Sequence, residues 1–430
     1  MVLICIFCLA LYAFFANFCT HSFQMGKLSL INVFTYFWLI VVTMGAFHLY
    51  GLYHISDYVY LIVTVGSGCF VAGYYLLGYF IRANRGEQQV DNECIIGFKP
   101  TYYVLLGLAI ILICMQVALL LPLILRSGMA IARHEWAEDQ ALRLTGAWEI
   151  LISYFAKPFI KASLFIMIIS LFQYGIQKTK ICLMALLGIV YFFSEGGRSF
   201  IVDLFFVFCY LFYCYRKSLD EKVISAFKKM ILVIALMPIL ATLQRGSGFS
   251  GIFYGIYTYY CGSLQYFTQL LETRSSYFAD DLYGMASFQG FVKPFFGILS
   301  QLGVEKPDLL NSANNFIIKV QQLNLLIAPQ TKMNYFATCF GYAYRDGKML
   351  GVIFDMLIYG AMCAYVDKKE SDNLASTKWL AIKVLFFSNM FFLMSYMPFS
   401  KYQNGMILIF IILITKSKLS NKYFVQNGFT

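Results

Sequence analysis

Charge is scarce in this chain: of 430 residues only 13% are Asp, Glu, Lys or Arg, while 60% are apolar, including 43 Phe and 32 Tyr. That excludes a soluble domain with a polar surface and points to a polytopic membrane protein, an all-α transmembrane helical bundle. Histidine is scarcer still, and His21, His48, His54 and His134 are dispersed, so no metal centre or cofactor is expected. Acids and histidines are missing from the middle of the apolar runs; Asp203, Asp355 and His48 fall inside runs but near their ends. This argues against a secondary transporter, which places such groups near the midplane. No internal repeat is detectable, which argues against a two-halved lipid-linked oligosaccharide flippase. The first apolar run lacks a basic n-region and a small-residue cleavage site, so it reads as a retained helix. Cys5 and Cys8 form a C-x-x-C without His or acidic neighbours and read as small apolar fillers.

What the chain does have is a succession of apolar runs at about 2–19, 28–49, 59–80, 102–125, 159–175, 181–193, 200–215, 230–243, 349–365, 379–397 and 406–414. Several are shorter than the roughly 20 residues a spanning helix needs, so their flanks must be drawn in, giving about eleven to twelve spans. The reading divides the chain into residues 1–244, a transmembrane bundle with an outer loop at about 126–158; residues 245–348, a large external loop; and residues 349–430, further spans with a tail.

A net charge of +11 raises the question of nucleic acid or anionic lipid, and position decides it in favour of the membrane. Lys27, then Arg82, Arg85 and Lys99, then Lys178 and Lys180, then five basic residues from Arg216 to Lys229, then Lys368, Lys369 and Lys378 fall in alternate loops, and Lys416 follows the last run. The positive-inside rule puts these loops and the C-terminus in the cytoplasm and the N-terminus outside. Against that rule, Arg126, Arg133, Arg143, Lys157, Lys161, Arg198, Arg245 and Arg274 fall outside or at the outer boundary. Cations retained there need an anionic partner, a ligand or headgroups.

The stretch Glu195-Gly196-Gly197-Arg198-Ser199 joins two apolar runs. Its glycines allow a sharp turn and close approach to an anion, and a guanidinium offers a planar fork suited to phosphate. A plain interhelical turn with an arginine among headgroups is equally compatible. Arg245 follows the run at 230–243 and is expected at similar depth, so Arg198 and Arg245 together would grip a lipid diphosphate, with Arg274 as a weaker third. The acceptor's base is left open among Glu195, His134, Asp280 and Asp281; Glu195 is equally readable as a salt-bridge partner of Arg198, and so is Asp203. Tyr254, Tyr257, Tyr259 and Tyr260 open the large loop and are candidate platforms for sugar rings, with an interfacial aromatic belt as the alternative. Further along, residues 311–326 read as an amphipathic helix, and part of 126–157 reads as a short helix along the surface.

These features resemble the Wzy-type oligosaccharide repeat-unit polymerases of bacterial O-antigen and capsule synthesis. Gly196-Gly197-Arg198-Ser199 and Arg245 are similar to that family's turn after a middle span and the arginine opening its large loop, and Tyr259-Tyr260-Cys261-Gly262 is similar to an aromatic-glycine patch. Asn334 to Thr338 and Asp346-Gly347 to Gly351 are similar to its loop-end pattern, with altered spacing. The resemblance implies a glycosyltransferase of the bacterial plasma membrane, polymerising undecaprenyl-diphosphate-linked repeat units at the outer face. It implies as partners that lipid-linked oligosaccharide, membrane lipids, a chain-length regulator and a flippase, and no nucleic acid. An O-antigen ligase uses a similar donor and layout and is the nearest alternative.

Overall fold

The structure is a computed structural model that describes residues 1–22, 28–83, 100–127, 146–175, 178–195, 199–216, 249–334, 336–372 and 376–415, with positions 224, 225, 228 and 232. Its helices are α1 (Val2–Ser22), α2 (Leu30–Gly45), α3 (Asp57–Ala83), α4 (Pro100–Ser127) and α5 (Ala147–Tyr174, π-helical over Leu151–Ala156). They continue as α6 (Lys178–Glu195), α7 (Ser199–Tyr215), α8 (Phe249–Thr273), α9 (Met285–Leu299), α10 (Asp308–Gln322), α11 (Thr338–Asp372), α12 (Thr377–Met390) and α13 (Tyr402–Ile414). One antiparallel hairpin, β1 (Leu325–Ala328) and β2 (Thr331–Met333), is the sheet among the described residues.

An apolar run in lipid satisfies its own backbone hydrogen bonds by becoming a helix. Each run named above coincides with a helix, except 230–243, of which position 232 alone is described. Among the described residues four helices, α3, α4, α5 and α11, are long and apolar enough to cross a membrane, and α1, α2, α7 and α13 are shorter apolar helices. The run at 379–397 departs from expectation, because its helix stops at Met390. Asn389 and Asn404 hold the bend: the Asn404 amide donates to Asn389 Oδ1 (2.9 Å) and to the Pro398 carbonyl (2.8 Å). The Asn389 amide in turn donates to the Leu385 carbonyl (2.8 Å), so two buried amides stabilise a fold in the chain that a hydropathy profile does not register.

The centre of the bundle is the pair α3 and α11, which run parallel in contact through glycines. A Cβ on Gly73 would stand 2.1 Å from the Leu357 carbonyl oxygen, and one on Gly360 would stand 2.1 Å from that of Phe70. Without a hydrophobic drive between helices in lipid, such backbone approach is how packing energy is gained. Aromatic side chains fill the space beside it, with Phe34 stacked on Phe70 at 3.8 Å and Trp38 against Phe340 at 4.7 Å.

At one end of this pair Asp367, fully buried, accepts from the Leu30 backbone N–H (2.7 Å) and the Tyr74 hydroxyl (2.7 Å) and faces Lys383 Nζ at 3.1 Å. The carboxylate satisfies the open N-terminus of α2, where Ser29 makes no side-chain cap. Near the other end α11 kinks at Gly347 and Lys348, the latter at φ 53°. Asp346, just before the kink, caps α9 through the N–H groups of Ala286 (2.7 Å) and Ser287 (2.8 Å). The residues that resembled a loop-end motif therefore have a structural role, tying residues 282–287 to α11.

Two further departures concern the large loop. The amphipathic helix expected over 311–326 runs Asp308–Gln322 instead, and Leu325 and Leu326 lie in β1. A turn backed by strand pairing replaces the last helical turn. The loop's first helix, α8, is part of the bundle wall: the Tyr257 hydroxyl donates to the Met44 carbonyl (2.8 Å), and Cys261 and Leu264 pack at Gly45. Within the same layer Tyr266 is buried, with its hydroxyl 3.0 Å from the Val320 carbonyl and 3.2 Å from that of Leu323. Tyr266→Phe leaves the shape intact and strips both carbonyls of a donor. It is expected to destabilise the protein by about 1–2 kcal/mol, read as a lowered midpoint in a denaturant titration of the detergent-solubilised chain.

Candidate functional site

The α11 N-terminal end of the bundle, opposite Asp367, gathers the stretch of α5 around Lys157 and Lys161, the starts of α7 and α13 and the last turn of α6. Lys157 and Lys161 are four residues apart on α5 and so share a face. Lys161 Nζ lies 2.5 Å from Asp203 Oδ2 of α7, and Lys157 Nζ lies 3.3 Å from Glu195 Oε1 at the end of α6. These side chains are 9–22% exposed, so solvent screens the pairs weakly. Lys157 also donates to the Ser194 carbonyl (3.3 Å), which accepts from the Gln116 amide of α4 as well (3.4 Å). Lys401, just before α13, stands over the Tyr396 ring at 3.7 Å. Burial works against ionisation of Glu195, but Lys157, with Lys161 and Lys401 beyond it, outweighs burial and holds the carboxyl below its ordinary range.

Lys157 and Lys161 are each matched by one carboxylate, Lys401 brings a third cation to this end, and the N-termini of α7 and α13 add the positive ends of their dipoles against the negative end of α6. The ensemble is suited to an anion.

Helix α9 from the large loop closes over this end. A Cβ on Gly290 would stand 2.5 Å from the carbonyl oxygens of Phe399 and Lys401, so only glycine allows α9 to lie against the turn before α13. Tyr154 packs edge-on to Tyr402 at 4.8 Å, and Lys293 of α9 stands over the Tyr402 ring at 5.3 Å while donating to Asn314 Oδ1 at 2.5 Å. Burial, helped by the charge of Lys306, lowers the Lys293 ammonium to about 8. A lysine whose folded pKa is depressed binds fewer protons folded than unfolded, so stability rises with pH between about 8 and the ordinary value of 10.5. Melting temperature is expected to climb across that window in the parent, relative to Lys293→Met, with the two profiles parallel below pH 8.

Of the residues singled out by sequence, the structure brings Glu195 into this cluster. Arg198, Arg245 and His134 lie outside the described residues. Arg274 is exposed at the end of α8. Asp280 and Asp281 are exposed, with Asp281 paired to Lys348 at 3.4 Å. Two of the tyrosine platforms have hydroxyls engaged within the protein: Tyr254 with the Thr331 hydroxyl, and Tyr257 with Met44 and the Leu49 N–H. Tyr259 is 41% exposed and lies edge-on to Phe336, whereas Tyr260 is half-buried against Phe37. Asp203 was expected beside Arg198 as one option; its partner among the described residues is Lys161.

What sequence reasoning missed is that Lys157, Lys161, Asp203 and Lys401 form one constellation with Glu195. A signal existed: opposite charges sit in the first turns of separate apolar runs, at matching depth, where an unpaired charge is costly. Comparison of the chain with protein-family models, with curated proteins and with solved structures returned no match.

Proposed function

We propose that this chain is a membrane glycosyltransferase that polymerises undecaprenyl-diphosphate-linked repeat units at the outer face of the bacterial plasma membrane. The observation that carries this reading is the lysine-rich cluster of Lys157, Lys161, Lys401, Glu195 and Asp203, of which Glu195 directly precedes Gly196-Gly197-Arg198 in the sequence. In the reaction the acceptor sugar's hydroxyl oxygen bonds to the anomeric carbon of the donor glycan. The bond from that carbon to the lipid diphosphate breaks, and the diphosphate departs with the electron pair. The difficult part is the charge developing on the departing phosphate, which fixed cations and helix N-termini stabilise at little reorganisation cost. Lys157 and Lys161, held by their carboxylates, are pre-positioned for this task, with Arg198 supplying a bidentate fork. In this reading Glu195, kept ionised by Lys157, receives the hydroxyl proton.

Arg198→Lys keeps the charge and loses the fork. It is expected to reduce transfer roughly tenfold, the worth of about one charge-assisted hydrogen bond, and to shorten the glycan ladder of a complemented deletion strain. Wild-type chain lengths in that strain would count against the reading. A deletion that accumulates single-repeat glycans supports polymerase activity, whereas unattached polymer supports the ligase alternative.

A further inference from the structure

Residues 245–348, expected as an external loop, contain two helices, α9 and α10, that pack together and turn opposite kinds of surface outward. Helix α10 is the ordinary case: Leu310, Ala313 and Phe316 are buried, and Asn311, Asn315 and Lys319 face outward. Helix α9 is inverted. Its buried side includes Ser287, Gln289, Gly290 and Gly297, whereas Phe291, Phe295, Ile298 and, just past its end, Leu302 are exposed, Phe295 by 59% and Leu302 by 76%. Intervals of four, three and four residues put these four side chains on one helical face. Lys293, the one charged residue of α9, turns inward to Asn314, so the outer face carries no charge. A contiguous apolar face of this kind marks an interaction surface.

The position of α9 along the bundle identifies what covers that face. A Cβ on Gly297 would run into the Tyr154 ring of α5, so the two helices touch there. Trp148, exposed at the start of α5, lies six residues earlier and so ~9 Å nearer that end of the helix. Exposed tryptophan at the end of a membrane-length helix sits at headgroup level, which leaves Tyr154 and the half of α9 against it on the hydrocarbon side. Directly after the apolar face come Glu305, Lys306 and Asp308, all exposed, and the chain then enters α10 with its polar outer face. The change from apolar to charged surface thus falls between two neighbouring helices of one segment.

We propose that α9 is an in-plane membrane helix, seated by its Phe291–Leu302 face in the bilayer leaflet at this end of the bundle, with α10 above it in water. The proposal does not depend on the function proposed above. Its consequence for the charged cluster is positional: Gly290 fits α9 against the carbonyls of Phe399 and Lys401, so the turn that carries Lys401 is bordered by a lipid-anchored helix.

The test uses the full-length chain in phosphatidylcholine nanodiscs with p-benzoylphenylalanine at position 295, 302 or 315, irradiated and read by intact mass. Adducts heavier by one phosphatidylcholine are expected at 295 and 302, with roughly tenfold less at 315, because only a side chain held among acyl chains meets lipid continuously. A protein–protein adduct at 295 or 302 in place of lipid would give this face to a second copy and overturn the proposal. Equal lipid labelling at all three positions, or none at 295 and 302, would overturn it as well. Phe295→Asp supplies an independent readout. It is expected to lower the melting temperature in nanodiscs, whereas Phe295→Trp, which suits an interface, and Asn315→Asp leave it unchanged. An aspartate tolerated at 295 without any loss of melting temperature would mean that the face does not meet the bilayer.

Discussion

Lys161→Ala is expected to abolish glycan polymerisation, with at least a hundredfold loss of transfer in membranes, and to lower stability by about 3–5 kcal/mol. The second figure is the cost of leaving a buried charge unpaired, since Asp203 is 7% exposed and 2.5 Å from the amine it would lose. The first figure is what removing a fixed cation from a low-dielectric site does to a developing anion, roughly 2.7–4 kcal/mol of the barrier. The two effects separate in the double variant Lys161→Met/Asp203→Leu. Replacing a buried ion pair by apolar groups of similar size is close to neutral for stability. That variant is therefore expected to regain the parent's melting temperature while staying inactive. Recovery of a polymer ladder along with stability would reduce the pair to a structural clasp.

Gly73→Leu is the second large effect, and it falls on the bundle itself. The first atom of the new side chain would stand 2.1 Å from the Leu357 carbonyl oxygen, a backbone atom with no rotamer to adopt, so α3 and α11 would be forced apart. Overpacking a well-fitted contact costs about 1–3 kcal/mol, and here the strain lies on two backbones, so a loss of at least about 3 kcal/mol is expected. Gly360→Leu should behave alike, and the double variant should cost less than the sum, because both open the same interface. Gly188→Ala is the control: nothing lies within 4 Å of its Cβ position, and a small gain of about 1 kcal/mol or less from helix propensity is expected. Thermal unfolding in detergent reads all four. Equal melting temperatures for Gly73→Leu and Gly188→Ala would mean that the helices do not meet as closely as described.

The helices were legible because their signal is local. Runs such as 59–80 and 102–125 carry enough apolar residues in sequence to specify α3 and α4 without reference to anything else. Where a run's end depended on a distant partner, legibility failed. The helix expected through residue 397 stops at Met390 because Asn389 meets Asn404, and the helix expected through residue 326 gives way to β1. The candidate site was half legible. Glu195 stood out beside Gly196-Gly197-Arg198, and the excess of basic residues at this end was visible. Tyr254 and Tyr257 looked like open platforms because sequence does not reveal that their hydroxyls already have partners in β2 and in residues 44–49.

By itself, then, the sequence determined that this is a helical chain with membrane-length apolar segments, and that its excess cations lie where a hydrophobic segment ends. Both follow from composition and short-range periodicity, which a segment carries wherever it is placed. Only the tertiary structure decided which charges meet. Lys161 and Asp203 are 42 residues apart, and Asp367 caps a helix 337 residues away. Pairings of that kind arise because a buried ion must find its complement among the groups that packing places beside it, and packing is a property of all the helices together.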